Sequence, residues 1–189
     1  ATYFPGIPMA ISIEVGYKPH LTDPAGESAA SRIRAHLGVD VAAVRVSRIF
    51  TIDADLSAAE AARAATELFC DPVVQDWRIA GWRVGGPQPS GSLALLGFDW
   101  SLEVGLRPGV TDNEGRTARE ALTYLLARDP GPVYASSRYL LSAPSLGQAA
   151  VEGIALGLLC NPLIQHYRAL PATEANLQAE PYVPRVVSA

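Results

Sequence analysis

One stretch of this chain occurs twice. Ile13-Glu-Val-Gly-Tyr-Lys-Pro-His-Leu-Thr-Asp-Pro-Ala-Gly26 returns as Leu102-Glu-Val-Gly-Leu-Arg-Pro-Gly-Val-Thr-Asp-Asn-Glu-Gly115, an offset of 89 with seven of fourteen positions identical, where average composition gives about one by chance. Further on, Cys70-Asp-Pro-Val-Val-Gln-Asp-Trp-Arg78 returns as Cys160-Asn-Pro-Leu-Ile-Gln-His-Tyr-Arg168 at an offset of 90. Two matches at nearly one offset mark an internal duplication, so the fold must be built from two copies of one small unit. The 189 residues suffice for two such units, and 49% apolar with 18% charged residues suits a packed core.

Each copy begins as a strand. Ile11, Ile13, Val15 and Tyr17 alternate with Ser12, Glu14, Gly16 and Lys18, the period-two pattern of a strand with one buried face. Trp100, Leu102, Val104 and Leu106 repeat it. Thr22-Asp23-Pro24 then supplies a capping side chain and a proline at the first helical position, and Thr111 with Glu114 forms a capping box in the second copy. The first helix spans about 25 to 37, with Ala30, Ile33 and Leu37 on one face and Gly38 as its stop; Leu122 and Leu126 hold the matching places. Gly26 and Gly115 sit in the first turn, where a missing side chain lets a helix approach a sheet closely.

Val44, Val46, Phe50 and Ile52 predict a long second strand, with Val133 to Leu141 its weaker counterpart. Ser57 with Glu60, and Ser145 with Gln148, are capping boxes that open a second helix, which Asp71-Pro72 and Asn161-Pro162 end. Val73 to Trp82 and Leu163 to about Ala169 complete each copy as a last strand. The expected fold is α/β, an α+β sandwich of two tandem β-α-β-α-β units. Each unit carries a three-stranded sheet with two helices on one face, and the two pack as a pseudo-dimer because three-stranded units leave sheet edges unpaired. The expected divisions are an N-terminal extension (1–9), a first repeat (10–84), a Gly/Pro/Ser-rich linker (85–97), a second repeat (98–170) and a proline-punctuated tail (171–189).

Several function classes are disfavoured. The net charge is −4, and the fourteen arginines and single lysine are scattered, so no surface is prepared for nucleic acid. No apolar run approaches the 18 or more residues of a membrane span, and the N-terminus lacks the order of a signal peptide; a cytoplasmic protein is expected. Cys70 and Cys160 occupy one repeat position and read as small core residues rather than a disulfide or a zinc site.

The order of these features is a strand, Lys/Arg-Pro-x-Leu/Val-Thr-Asp-x-x-Gly, a helix, a strand, and a helix ending in Leu-x-Cys-Asp/Asn-Pro-Val/Leu-Val/Ile-Gln-x-Trp/Tyr-Arg. It resembles the PurS family, the small subunit or N-terminal region of phosphoribosylformylglycinamidine synthase, and each copy is similar to one PurS unit. The resemblance implies a non-catalytic role in purine biosynthesis, bridging the glutaminase and the ATP-dependent synthetase components, with no cofactor of its own. It also implies that the two repeats associate with each other, with further homo-oligomers as an extension. The alternative is a duplicated α/β regulatory module that binds a small metabolite between the repeats.

No catalytic or metal-binding set emerges. Asp23 and Asp112 are explained by capping, and Asp53 and Asp55 by a strand-end turn, since the second copy has Leu141 to Ala143 there. His20, His36 and His166 share no repeat position and no metal spacing. No nucleophile elbow, phosphate loop or dinucleotide fingerprint is present. The candidates left are for partner binding: Lys18 and Arg107 at the strand exits, and the aromatic residues Trp77, Trp82 and Tyr167 near the last strands.

Overall fold

Period-two apolar runs become strands, and each strand exit leads into a capped helix. The structure, a computed structural model, describes residues 10–81, 91–93, 95, 97–175 and 182–184. Of the expected segments, the extension 1–9, much of the linker and much of the tail lie outside the described residues. The elements are β1 (Ile11–Tyr17), α1 (Pro24–Leu37), β2 (Ala43–Ile52), α2 (Ala58–Ala64), β3 (Gln75–Ala80), β4 (Trp100–Leu106), α3 (Asn113–Leu126), β5 (Val133–Ser142), α4 (Gln148–Ile154) and β6 (Gln165–Pro171). α2 and α4 each run on into a π-helical turn, Ala65–Phe69 and Ala155–Leu159. Those turns close on i→i+5 bonds, Cys70 N–H to the Ala65 carbonyl and Cys160 N–H to the Ala155 carbonyl. The last strands therefore start at Gln75 and Gln165, after a turn, rather than at Val73 and Leu163.

The expected pair of three-stranded sheets is corrected by the structure. β2 and β5 pair antiparallel over ten residues, from Ala43 opposite Ser142 to Ile52 opposite Val133. The result is one antiparallel six-stranded sheet in the order β3-β1-β2-β5-β4-β6. An unpaired edge of that length would leave a row of backbone donors and acceptors open, and each long strand removes the other's edge. The chain is thus not a pair of tandem units with a sheet apiece.

The helices cross the same boundary. α1 contributes Ala29, Ala30 and Ile33 to a core shared with Val151, Ile154 and Ala155 of α4 and its π-turn, over Trp100, Leu102 and Val104 of β4. α3 contributes Ala118 and Leu122 to the other core, shared with Ala61, Ala64 and Ala65 of α2 and its π-turn, over Ile11, Ile13 and Val15 of β1. Both cores draw on both halves of the chain. Ion pairs follow the same crossing: Arg48 of β2 holds Glu114 in the first turn of α3, and Arg128 after α3 holds Glu60 of α2.

Caps show which local signals prevailed. Asp23 caps α1 and Gly38 ends it in the left-handed region, and Ser57 and Glu60 form their capping box. The other two expected boxes do not form. Asp112, not Thr111, caps α3, while Glu114 is drawn away to Arg48. Gly147 takes the cap position of α4 without a side-chain bond, and the Gln148 amide goes to Glu152 and the Ala169 carbonyl. Asp23 and Asp112 do double duty. One oxygen accepts the N–H of Gly26 or Gly115 in the helix, and the other accepts Val46 N–H or Ala135 N–H in the adjoining strand.

That clamp presses each helix start onto the sheet, and only glycine fits the contact. A Cβ on Gly26 would lie 2.1 Å from the Val44 carbonyl oxygen, and one on Gly115 2.3 Å from that of Val133. Gly26→Ala is expected to cost about 1–3 kcal/mol, the usual penalty for overpacking, read as a lowered denaturant midpoint at unchanged m-value. An unchanged midpoint would show that the helix can lift off the sheet freely.

Candidate functional site

The sheet face away from the helices is polar yet buried, which the expectation of one buried face per strand did not include. Ser12, Glu14, Ser47, Thr51, Arg78, Ser101 and Arg138 are all buried, and Glu14 is only 1% exposed. Charges cross this face as a chain. Arg78 Nε donates to Glu14 Oε2 at 2.8 Å, Arg138 Nη1 donates to the same oxygen, and Arg138 Nη2 reaches Glu103 Oε2 at 3.2 Å. Arg168 Nη2 also donates to that Glu103 oxygen, at 3.1 Å. Ser47 and Ser136 hydroxyls donate to the remaining oxygens of Glu14 and Glu103.

One arginine from β5 therefore spans a glutamate of each half. Glu14 and Glu103, and Arg78 and Arg168, occupy equivalent repeat positions, but the equivalent of Arg138 is Ile49. Burial works to raise the Glu103 carboxyl, and the Arg138 and Arg168 guanidiniums overcome it, holding the group below the usual carboxylate value. Both oxygens of Glu14 and both of Glu103 are occupied, so the chemistry of this ion network is cohesion of the sheet rather than acid–base work.

The partner-binding candidates are all placed except Trp82, which lies outside the described residues. Lys18 Nζ donates to the carbonyls of Pro72 and Val73 at 2.7 and 3.1 Å. Arg107 Nε does the same for Pro162 and Gln165, at 3.0 and 2.9 Å. Each cation at a strand exit thus pins the turn that leads into the neighbouring last strand. Trp77 lies opposite Val15 and Tyr167 opposite Val104, both half-buried against the helix-side cores. These residues do not converge: Lys18 and Trp77 lie near one edge of the sheet, Arg107 and Tyr167 near the other.

A cavity of about 240 Å³ opens beside the second of these groups, walled by the Leu106–Val110 segment, the start of α3, the start of β5, His166 and Tyr182. His166 and Tyr182 rings meet with centroids 4.5 Å apart. Burial pushes the His166 imidazole below its usual pKa, against the opposing pull of the Leu106 backbone and Glu103, and its Nδ1 is buried without a hydrogen bond. The sequence pattern flagged His166 only as a lone histidine. Its location depends on the pairing of β6 with β4, which no local spacing reveals.

Burial raises the thiols of Cys70 and Cys160, each free, so neither is an activated nucleophile. Among the described residues no group of three or more His, Cys, Asp or Glu could hold a metal ion, and no helix is long and apolar enough to cross a membrane.

No curated protein matches the chain. Residues 10–81, from β1 through the end of β3, match the family model PurS, described as phosphoribosylformylglycinamidine (FGAM) synthase. The match links this segment to that synthase and to purine biosynthesis, and gives no support to a regulatory module that binds a metabolite between the repeats. The matched span contains the first copies of both motifs on which the sequence resemblance rests, Lys18 to Gly26 and Leu68 to Arg78. By this match the first repeat, residues 10–81, is similar to the PurS family.

Proposed function

We propose that this chain is a non-catalytic assembly module of phosphoribosylformylglycinamidine synthase that bridges its glutaminase and ATP-dependent synthetase components. The observation that supports the reading is a pair of exposed apolar turn tips. Val73 is 75% exposed in the turn before β3, and Leu163 is 85% exposed in the turn before β6, with Ile164 beside it. β3 and β6 are the two edges of the sheet and run antiparallel to each other, so the two tips lie at diagonally opposite corners.

Apolar side chains held out on rigid turns suit anchoring into partner pockets, and Lys18 and Arg107 supply the rigidity. Two anchors facing apart let one molecule hold two partners without the partners competing. Half-buried Trp77 and Tyr167 in the adjoining strands extend each surface.

Val73→Asp and Leu163→Asp test this directly. Both sites are exposed, so thermal melting should stay within about 0.5 kcal/mol of the parent. Co-purification with the two components is expected to show each variant losing one of them by about tenfold or more while keeping the other. Full retention of both components by both variants would sink the bridging role.

A further inference from the structure

We infer that the cavity between β4, β5, β6 and α3 is a binding site for a small organic oxyanion. The site lies in the second half, with Thr51 of β2 also in its wall, and it is distinct from the turn tips assigned to protein partners.

The argument starts from the charges that line it. Asp112 has both oxygens committed, to Gly115 N–H and Ala135 N–H. Glu103 is paired with Arg138 and Arg168, and Arg119 is paired with Asp129. Two cations remain uncompensated. Among the described residues, Arg107 spends its Nε on carbonyls and meets no carboxylate, and the exposed Arg116 side chain has no polar partner. His166 lines the same wall, with its Nδ1 buried and making no hydrogen bond although the Leu106 backbone acts on the ring. Leu106, Val110, Val133 and Tyr182 give the remaining wall an apolar character. Convergent cations beside an apolar wall suit a small molecule with an anionic head and a carbon body.

The corresponding place in the first half is built differently. Arg45 stands there where β5 has Tyr134, and its guanidinium is spent on the carbonyls of Tyr17, Lys18 and Leu21, beside a smaller cavity of about 160 Å³. Leu93 covers Gly16, approaching within 3.3 Å of where a Cβ would sit. Glu27 and Ala30 stand where the second half has Arg116 and Arg119, and Asp76 where it has His166. The larger cavity thus occurs in the half that carries Arg116, Arg119 and His166, and the smaller one in the first half is lined by an arginine already committed to backbone carbonyls.

Amide spectra of the isotope-labelled chain, titrated separately with inorganic phosphate and with succinate against a sodium chloride control, test the inference. Saturable shifts are expected at Gly105, Val133 to Ser136 and His166, with a dissociation constant on the order of 1 mM. Saturation by phosphate alone assigns phosphoryl compounds, and saturation by succinate alone assigns carboxylates. Arg116→Gln, at an exposed position that the fold does not use, should weaken binding by about tenfold. The absence of saturable shifts with either anion, or shifts unchanged in Arg116→Gln, would overturn the site.

Discussion

Expressed without the rest of the chain, residues 10–81 will not persist as a folded monomer. α1 would lose Val151, Ile154 and Ala155, and α2 would lose Ala118 and Leu122, while β2 would lose its ten-residue partner. Re-exposing Ile33, Val44 and Ile52 alone costs roughly 1.5–3 kcal/mol for each side chain. That total rivals the net stability of a whole domain, roughly 5–15 kcal/mol. Two outcomes fit: an unfolded fragment by circular dichroism, or a dimer by light scattering in which two β2 edges pair and each α1 takes a partner helix from the other copy. The dimer would dissociate and unfold together on dilution. A cooperative monomer at micromolar concentration would mean that the shared cores are dispensable.

Arg138→Met is expected to be the most damaging single substitution on the polar face. It leaves the buried Glu14 and the partly buried Glu103 with one arginine each in place of two, and breaking a buried pair from one side costs about 3–5 kcal/mol, read by urea unfolding at pH 7. Adding Glu14→Gln should recover part of the loss, because the pair is coupled and the double variant buries one charge fewer. Acid should narrow the gap. The Glu103 pKa is depressed in the folded chain, so its stabilisation is complete above the unfolded value of about 4.3 and fades as pH falls through the lower folded value. Below that range the parent loses the share of the advantage that Arg138 confers through Glu103. A loss of less than about 1 kcal/mol at pH 7 would show that the arginine is replaceable.

Features written into a few neighbouring residues were legible in the sequence. Asp23-Pro24 to Gly38 predicts α1 to within a residue, Ser57-Glu60 predicts the start of α2, and Gly26 and Gly115 predict the close approach to the sheet. The errors arise where a distant group competes for a local one. Glu114 is suited to a capping box with Thr111, but Arg48 takes it; Gln148 is suited to one with Ser145, but Glu152 and a β6 carbonyl take it. The sheet and the ion chain were hidden for the same reason. Glu14 and Arg138 are ordinary polar positions in two alternating strands, and nothing short of the β2–β5 register brings them together. The cavity was equally hidden, because its histidine, arginines and tyrosine come from segments that meet only after β6 has found β4.

The crossed helices also set an order of events during synthesis. Ile33 leaves the ribosome long before Val151 and Ile154 exist, and at about 5–20 residues per second the first half waits several seconds with α1 and the β2 edge uncovered. Contacts this far apart in sequence make for slow closure. The nascent first half is therefore exposed to pairing with a neighbouring nascent chain on the same messenger, which would exchange halves between molecules. Chains released in one piece and diluted at once would favour the closed monomer, whereas crowded polysomes would favour interlocked dimers of the same fold.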